Sequence, residues 1–253
     1  MITDTEAIVL RQVKTLNGRR MLLLFSRKFG KISVGTSLTE GGKNKSALAV
    51  RPFTYGRYEL FKSRDSYSLN SGQVIKSFYS LGEDLDKYAA ASYVLELTEK
   101  LMAEDLPQPK MFALLCDFLE CLERRAVKHD TLVMAYMVKT LDIMGTMPEL
   151  DSCCICGLAG PERFFSVSEG GMICSRCAKK AIEDMDPTNE PLIYDTNFGI
   201  VNILKYFRKE PMGAFEKIAL DDEILRKLKT VVKSWMSYHL DVGKLKSEEF
   251  FIL

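Results

Sequence analysis

Four of the seven cysteines in this chain have the spacing of a metal site. Cys153 and Cys156 form one C-x-x-C pair, and Cys174 and Cys177 form a second pair after seventeen intervening residues. A tetrahedral Zn²⁺ takes four soft ligands, and each C-x-x-C turn presents two thiolates to one ion. Two disulfides, or four unrelated core cysteines, are the alternative interpretations. A reducing cytoplasm disfavours disulfides and chance seldom gives two matched pairs, so the sequence predicts one structural zinc ion per chain.

Four thiolates would also close the coordination sphere of the metal. No position would remain for a water molecule to be activated, which is the feature that separates structural from catalytic zinc. Cys154 is a neighbouring spare thiol. Cys116 and Cys121 lie about 140° apart around one predicted helix, so they do not form a ligand pair and are expected in the core.

The remaining residues offer little for catalysis. The chain has two histidines, and neither His129 nor His239 belongs to the H-x-E motif of a zinc deaminase. The run Gly41-Gly42-Lys43 lacks the upstream glycine and the following Ser or Thr of a phosphate-binding loop, and no G-x-G-x-x-G follows a strand. The sequence therefore predicts a protein that is not an enzyme and that uses no nucleotide cofactor.

Charge is unevenly distributed along the chain. Residues 1–80 carry fourteen Lys and Arg against five Asp and Glu, whereas the remaining residues carry 21 against 29. A basic segment with its own fold pattern is typical of a protein that binds polyanions. An ordinary solvated surface is the alternative explanation of the same charges.

Composition indicates a folded protein, because 47% of the 253 residues are hydrophobic and 27% are charged. The sequence has no apolar run long enough to span a membrane, and it opens with acidic residues where a signal peptide has basic ones. We therefore expect a cytoplasmic, nucleoid-associated protein with no membrane partner.

The spacing of hydrophobic residues predicts the secondary-structure elements. Five runs rich in β-branched and aromatic residues occupy residues 1–80, with turn signals at 17–18, 29–30, 40–42 and 70–72, and predict a small five-stranded barrel. Residues 39–46 read as a flexible basic loop between the third and fourth strands. From residue 81 onward helical spacing dominates, with stripes near residues 85–102, 111–122, 133–144, 200–207 and 225–239. A hairpin at 163–168, turned by Gly170-Gly171, is expected beside the cysteines.

The whole chain resembles the bacterial RecO family of recombination mediator and DNA repair proteins. The resemblance rests on GRRMLLLFSRKFGKI near the start, CCICG and GGMICSRC in the middle, and YHLDVGKLKS near the end. It implies an α+β multidomain protein: an N-terminal five-stranded OB-fold barrel (1–80) and an all-helical domain (81–253) with an inserted four-cysteine zinc knuckle (150–180). One departure is Glu40, which lies in a segment that is small and basic in the family.

The resemblance also implies a function. Such proteins bind single- and double-stranded DNA, anneal complementary strands coated by single-strand binding protein and, with RecR, help to load the RecA recombinase at gaps. A non-catalytic protein-interaction adaptor with a structural zinc and no direct DNA role is the alternative. Under this alternative the basic barrel only stabilises an assembly.

An OB barrel binds single strands through a cationic groove with aromatic platforms, so the candidate DNA contacts are the cations of the barrel. They are Arg19, Arg20, Arg27, Lys28, Lys31, Lys43, Lys45, Arg51, Arg57 and Lys62. Those expected at loops and hairpin ends (Arg19, Arg20, Lys43, Lys45) are favoured, because such positions project from a barrel. Phe29 and Tyr55 are candidates for base stacking, whereas Phe53 is assigned to the core.

The acidic helical region suits protein binding. In the family, the acidic tail of single-strand binding protein docks on the helical domain, which requires an apolar pocket with cations at its rim. The nearest local basic group is Arg124, Arg125, Lys128 and Lys139. Solvated helix surface is the alternative for each of these four residues.

Overall fold

The computed structural model describes residues 1–14, 20–38, 45–64, 66–161, 163–184, 192–197 and 199–249, without the side chains of residues 45 and 46. The described chain is divided into two compact units. The first contains Met1–His129 together with the segment that begins at Leu245, and the second contains Asp130–Lys244. Each unit is described separately.

Five strands of the first unit form a closed barrel in the order β1-β2-β3-β5-β4. They are β1 (Ile2–Lys14), β2 (Arg20–Ser26), β3 (Gly30–Thr36), β4 (Thr54–Lys62) and β5 (Tyr67–Ser77). Alternation of side chains along β4 shows how the sequence specifies the barrel, because Tyr58 and Leu60 are buried while Arg57 is exposed. The five-stranded barrel predicted from the sequence is confirmed.

A short helix, α1 (Lys45–Ala49), lies between β3 and β4 and covers one end of the barrel. Ala49 and Val50 join the buried barrel core, and the Tyr58 hydroxyl donates to the carbonyl of Ala49 at 2.6 Å. This helix was not predicted. It takes up the last two residues of the loop predicted at 39–46, and residues 39–44 lie outside the described part of the chain. A closed five-stranded barrel with a helix between its third and fourth strands has the topology of an OB-fold.

The turn predicted at 70–72 is wrong. Strand β5 runs through these residues, and its pairing with β4 shifts between the pairs Glu59↔Ser71 and Leu60↔Leu69, which leaves Asn70 as an extra residue. Asn and Gly are common at such β-bulges as well as at turns, so residue type alone did not distinguish the two. The turn at 29–30 is confirmed, with Gly30 at a φ of 72°.

Gly30 also allows a close contact that gives a stability prediction. A β-carbon at this position would collide with the backbone of Leu106, and its positive φ disfavours other residues. We expect Gly30→Ala to destabilise the protein by about 2–4 kcal/mol in urea unfolding. Gly82→Ala is the matched control, because a β-carbon there meets no atom within 4 Å. Equal midpoints for the two variants would contradict this contact.

Two further α-helices belong to the first unit, together with the 3₁₀ helices Tyr79–Glu83 and Lys246–Glu249. Helix α2 (Leu85–Leu101) begins at Asp84, whose carboxylate accepts the backbone N–H groups of Asp86 and Lys87. Helix α3 (Pro109–Arg124) begins with proline at its first turn. Arg11 of β1 forms a bidentate ion pair with Glu99 of α2, with both N–O distances at 2.8 Å. Strands and helices are therefore packed together in one unit.

The second unit combines helices with a small sheet. Its α-helices are α4 (His129–Met144, whose first residue belongs to the first unit), α5 (Ser175–Glu183), α6 (Ile200–Lys209) and α7 (Asp222–Leu240), and a 3₁₀ helix lies at Met212–Glu216. Strands β6 (Phe164–Ser166), β7 (Gly171–Ile173) and β8 (Ile193–Asp195) form an antiparallel sheet in the order β7-β6-β8. The hairpin predicted beside the cysteines is β6–β7, whereas β8 was not predicted because three residues carry too little pattern.

The strands end and the helices begin near residue 80, where the sequence predicts the domain boundary. However, helices α2 and α3 belong to the same compact unit as the barrel. The division into domains 1–80 and 81–253 stays a prediction. Over the described ranges, no helix is both long and apolar enough to cross a lipid bilayer.

Candidate nucleic-acid interface and metal centre

A groove opens on the barrel beside Tyr67, the first residue of β5. Its volume is 680 Å³, and a neighbouring depression of 650 Å³ shares Met21, Ser66 and Tyr67 with it. Strands β3 and β5 pair here through two residue pairs, Val34↔Tyr67 and Gly35↔Ser68, so a short stretch of pairing closes the barrel at this point. We call this continuous surface the Tyr67 groove. Its aromatic and basic lining residues are Arg20, Lys28, Phe29, Lys31, Lys62, Arg64 and Tyr67.

Cations and aromatic rings alternate within the Tyr67 groove. The rings of Phe29 and Tyr67 lie 5.7 Å apart. The Lys28 ammonium is 5.2 Å from the centre of the Phe29 ring, and the Lys62 ammonium is 5.3 Å from the Phe29 ring and 5.1 Å from the Tyr67 ring. Arg64 is exposed in the loop between β4 and β5. This arrangement can attract phosphates with the cations and offer the partly exposed face of Phe29 to a base.

The groove also lies where an OB-fold binds its ligands. It is lined by β2, β3 and the loop between β4 and β5, which are the elements that OB-folds use for oligonucleotides. Sequence reasoning had selected Arg20, Lys28, Phe29, Lys31 and Lys62, and the structure brings these five together. It missed Arg64 and Tyr67. Arg64 could have been predicted from its position in a loop. The position of Tyr67 beside Phe29, in contrast, depends on the pairing of β3 with β5.

Three other candidates have a structural role. Glu6 on β1 accepts a hydrogen bond from the Tyr55 hydroxyl at 2.7 Å and pairs with Arg27 at 3.1 Å and with Arg57 at 3.6 Å. Tyr55 also packs edge-on against Phe112 of α3. Burial, followed by the hydrogen bond to Glu6, raises the pKa of Tyr55 to about 12. Because Glu6 pairs with Arg27 and Arg57, these two arginines are less available to DNA than Lys62 and Arg64 of the Tyr67 groove.

The Glu6 cluster predicts a dependence of stability on pH. The hydrogen bond from Tyr55 and the charges of Arg27 and Arg57 together outweigh burial and lower the pKa of Glu6 below its usual value of 4.5. The ionised carboxylate therefore stabilises the folded state above this value, and its contribution is lost as the pH falls through the lowered pKa. We expect Glu6→Gln to lose about 1 kcal/mol at pH 7 and to approach the wild type in strong acid. Urea unfolding at both pH values measures this, and a gap between the proteins that does not change with pH would contradict it.

The remaining cations have mixed environments. Lys31 donates from its ammonium to the carbonyl of Glu99 at 2.8 Å, although its stem lines the Tyr67 groove. The Arg51 guanidinium lies 5.7 Å from the ring of Tyr79. Phe53 is buried against Tyr88, in agreement with its assignment to the core. The candidates Arg19 and Lys43 lie outside the described residues, and Lys45 begins α1 with a side chain that is not described.

The four cations proposed for a partner's tail do not form one cluster within a unit. Arg125 is buried and donates to the carbonyl of Lys128 at 3.0 Å. Arg124 pairs with Glu120 one turn earlier on α3. Lys139 belongs to the second unit, where it donates to the carbonyl of Arg208. Each of these contacts ties its cation to the fold of its own unit.

The four cysteines of the two C-x-x-C pairs come together in the second unit. Their sulfur atoms all lie within 4.8 Å of one another, and those of Cys156 and Cys174 are 3.7 Å apart. Cys153, Cys174 and Cys177 are buried, whereas Cys156 is exposed. This geometry and this donor set can hold one tetrahedral metal ion. Cys154 is not part of the group.

Local backbone geometry explains how the cysteines converge. Cys153 and Cys156 lie on a tight turn in which the N–H of Gly157 donates to the carbonyl of Cys153 at 2.8 Å, with Gly157 at a φ of 73°. Cys174 follows β7 directly and caps the N-terminus of α5, and Cys177 lies in the first turn of that helix. The β6–β7 hairpin therefore carries the second pair to the first.

The surroundings of the sulfur atoms fit a bound cation. Burial raises the pKa of the Cys153 thiol, but backbone N–H groups that point at its sulfur, that of Cys174 first, outweigh burial and lower the pKa. This Cys174 N–H lies 3.3 Å from the Cys153 sulfur. Burial and the neighbouring thiols raise the pKa of Cys177 instead. Four clustered thiolates repel one another, so full ionisation of the group requires a cation at its centre.

A basic, aromatic groove on a barrel and a four-cysteine centre in a helical region define a multidomain α+β protein of the OB-fold class. Comparison with known families gives a more specific result. The family model "Recombination protein O N terminal" matches residues 1–78, and "Recombination protein O C terminal" matches residues 82–249.

Individual relatives agree with the family models over nearly the full length. The chain is 31% identical to the DNA repair protein RecO of Alkaliphilus metalliredigens, covering 98% of each chain. It is 30% identical to that of Pelotomaculum thermopropionicum, covering 97% of this chain and 91% of the relative. It is 26% identical to that of a Thermoanaerobacter species, covering 98% and 96%. The chain therefore belongs to the RecO family, whose role lies in DNA repair and recombination.

Proposed function

We propose that this protein binds single- and double-stranded DNA through the Tyr67 groove and anneals complementary strands coated by single-strand binding protein. With RecR as a partner, it then helps to load RecA at gaps, in the cytoplasm and at the nucleoid. Membership of the RecO family and the OB-fold support this proposal. The observation that carries it is the placement of Lys28, Lys62 and Arg64 around the Phe29–Tyr67 ring pair.

Annealing by this protein requires no bond chemistry. Base pairing supplies the driving force, and the protein accelerates pairing by neutralising the repulsion between the phosphates of two strands. Cations in the groove do this without holding every base. We therefore expect a phosphate-dominated, sequence-tolerant site and a mechanism without nucleotide hydrolysis.

The four cysteines complete the proposal as the ligands of one structural Zn²⁺ per chain. Cys153, Cys156, Cys174 and Cys177 would hold the ion, which supplies a rigid cross-link between the cysteine turn and α5. With four sulfur ligands, the ion has no open position for substrate. The helical region would then serve partner binding, with the tail of single-strand binding protein as its proposed ligand.

A fluorescence annealing assay tests the proposal. Complementary oligonucleotides, bare or coated with single-strand binding protein, are mixed with the purified protein without ATP. We expect faster annealing in both cases. If the site neutralises about five phosphates, the logarithm of the affinity for single strands should fall with the logarithm of the salt concentration at a slope of about −3 to −4. The absence of oligonucleotide binding at low ionic strength would overturn the proposal and favour the protein adaptor.

A further inference from the structure

Two acidic residues, Glu104 and Asp105, line the Tyr67 groove, and Asp105 is hydrogen-bonded to Tyr67. Asp105 belongs to the loop between α2 and α3, and its carboxylate accepts a hydrogen bond from the Tyr67 hydroxyl at 3.2 Å. The Lys62 ammonium lies over the same Tyr67 ring. A negative charge therefore occupies the part of the groove where a tyrosine hydroxyl and a lysine would otherwise meet a phosphate oxygen.

The fold holds Asp105 in this place. Its backbone N–H donates to the carbonyl of Lys31 at 3.0 Å, and the adjacent Glu104 forms a β-bridge with Lys31. The next residue, Leu106, packs its backbone against Gly30 so closely that a β-carbon would not fit. The loop is thus anchored to the turn between β2 and β3, which forms one wall of the groove.

Asp105 also has a left-handed backbone conformation. Its φ is 54°, in a region that residues other than glycine, asparagine and aspartate seldom adopt. Such conformations persist where surrounding contacts impose them, and they are concentrated at functional positions. The Tyr67 hydroxyl and the Lys31 carbonyl are the contacts that impose it on Asp105.

We propose that Asp105 is a built-in competitor of nucleic-acid phosphate for the Tyr67 hydroxyl and the Lys62 ammonium, and that it keeps the affinity of the groove for single strands low. This inference rests on the proposed function. A bound phosphate displaces the carboxylate from Tyr67, so each binding event includes the loss of one internal contact. A low affinity for single strands favours annealing, because a tightly bound strand cannot pair with its complement.

Asp105→Asn is the test variant, since asparagine has the same shape and tolerates the left-handed conformation. Glu104→Gln is the matched control, because it removes the same charge from the same loop and the same groove but leaves the hydrogen bond between Asp105 and Tyr67 in place. Binding of fluorescein-labelled oligothymidine to the full-length protein is measured at low ionic strength, with thermal melting to verify the fold. We expect Asp105→Asn to bind about three- to tenfold more tightly and Glu104→Gln to change by less than about twofold.

The same variants are then compared in the annealing assay and in a second background. Asp105→Asn should slow the release of the labelled strand and slow annealing at saturating protein. In a Lys62→Gln background, we expect the gain from Asp105→Asn to shrink to less than about twofold, because both side chains act at Tyr67. If Asp105→Asn and Glu104→Gln increased the affinity equally, any negative charge on this loop would weaken strand binding by repulsion alone. That result would overturn the inference.

Failure of the inference is distinguishable from failure of the proposed function. If the wild type binds oligothymidine and Lys62→Gln weakens binding, but Asp105→Asn changes nothing, the competition is wrong and the groove assignment stands. If the wild type does not bind oligothymidine at all, the proposed function itself is wrong.

Discussion

Replacing Lys28, Lys62 and Arg64 together by glutamine lowers the affinity for single-stranded oligonucleotides by about 30- to 100-fold at low salt and leaves the fold intact. Each of these cations is exposed; Lys28 and Lys62 lie over the rings of the Phe29–Tyr67 pair, and Arg64 lines the same groove. Each neutralised phosphate of a single strand contributes about 0.7 to the log–log salt slope, so the slope of the triple variant becomes about 2 units less steep. Titration by fluorescence anisotropy at several salt concentrations gives both quantities.

The chain contains a matched control for this experiment. Arg27, Arg51 and Arg57 were also candidates by sequence, and their replacement by glutamine removes the same total charge. In the structure, Arg27 and Arg57 pair with Glu6, and the Arg51 guanidinium lies against the ring of Tyr79, outside the Tyr67 groove. We expect this second triple variant to lose less than about fivefold in affinity, because these cations are already engaged.

The comparison separates a defined site from a diffuse basic surface. If both triple variants lose the same affinity and the same salt slope, DNA senses only the net charge of the barrel. The assignment of the Tyr67 groove would then be wrong, although a role in DNA binding would remain.

Local patterns in the sequence predicted most of the secondary structure. The alternation of buried and exposed residues in the five barrel strands, and the helical stripes of α2, α3, α4, α6 and α7, are visible within single segments. The cysteine centre was predictable for the same reason, since each ligand pair is a four-residue pattern. Short elements carried too little signal, as α1 with five residues and β8 with three residues show.

The groove itself depends on contacts between distant residues. Asp105 meets Tyr67 across 38 residues of sequence, and Glu6 meets Tyr55 across 49. The register of β1 with β4 brings Glu6 beside Arg57, and no local pattern encodes that register. The sequence ranked its ten cations only by their expected loop positions, whereas the described part of the structure separates Lys28 and Lys62, which line the groove, from Arg27 and Arg57, which pair with Glu6.

Replacing Cys153 by serine removes the metal and unfolds the surroundings of the cysteine centre, while the barrel stays folded. Cys153 is buried in a small cluster with Cys174, Cys177, Ile173 and Ala178, which is a limited hydrophobic core. Zinc binding contributes about 10–16 kcal/mol to the folding of zinc-finger peptides near neutral pH, which exceeds what a core of this size supplies. We therefore expect a zinc content near zero and a large loss of thermal stability in the second unit.

The only tryptophan in the sequence provides a specific signal for this change. Trp235 of α7 is buried, packs against Phe165 of β6 at 5.4 Å, and donates from its ring nitrogen to the carbonyl of Thr146. Strand β6 is paired with β7, which leads directly into Cys174. Loss of the metal should thus expose Trp235 and shift its emission to longer wavelength, whereas binding of oligonucleotides by the barrel should persist.

Two further cysteine variants make this prediction specific. Cys154→Ser changes the adjacent thiol, which is outside the ligand group, and should retain zinc, emission and melting temperature. Cys156→Ser changes the exposed ligand, where water can replace the lost sulfur, and should bind zinc more weakly without losing the fold at saturating metal. Zinc content, Co²⁺ substitution spectra and tryptophan-detected melting are measured for all three variants. If Cys153→Ser retained zinc and melted with the parent, these four cysteines would not be the metal ligands.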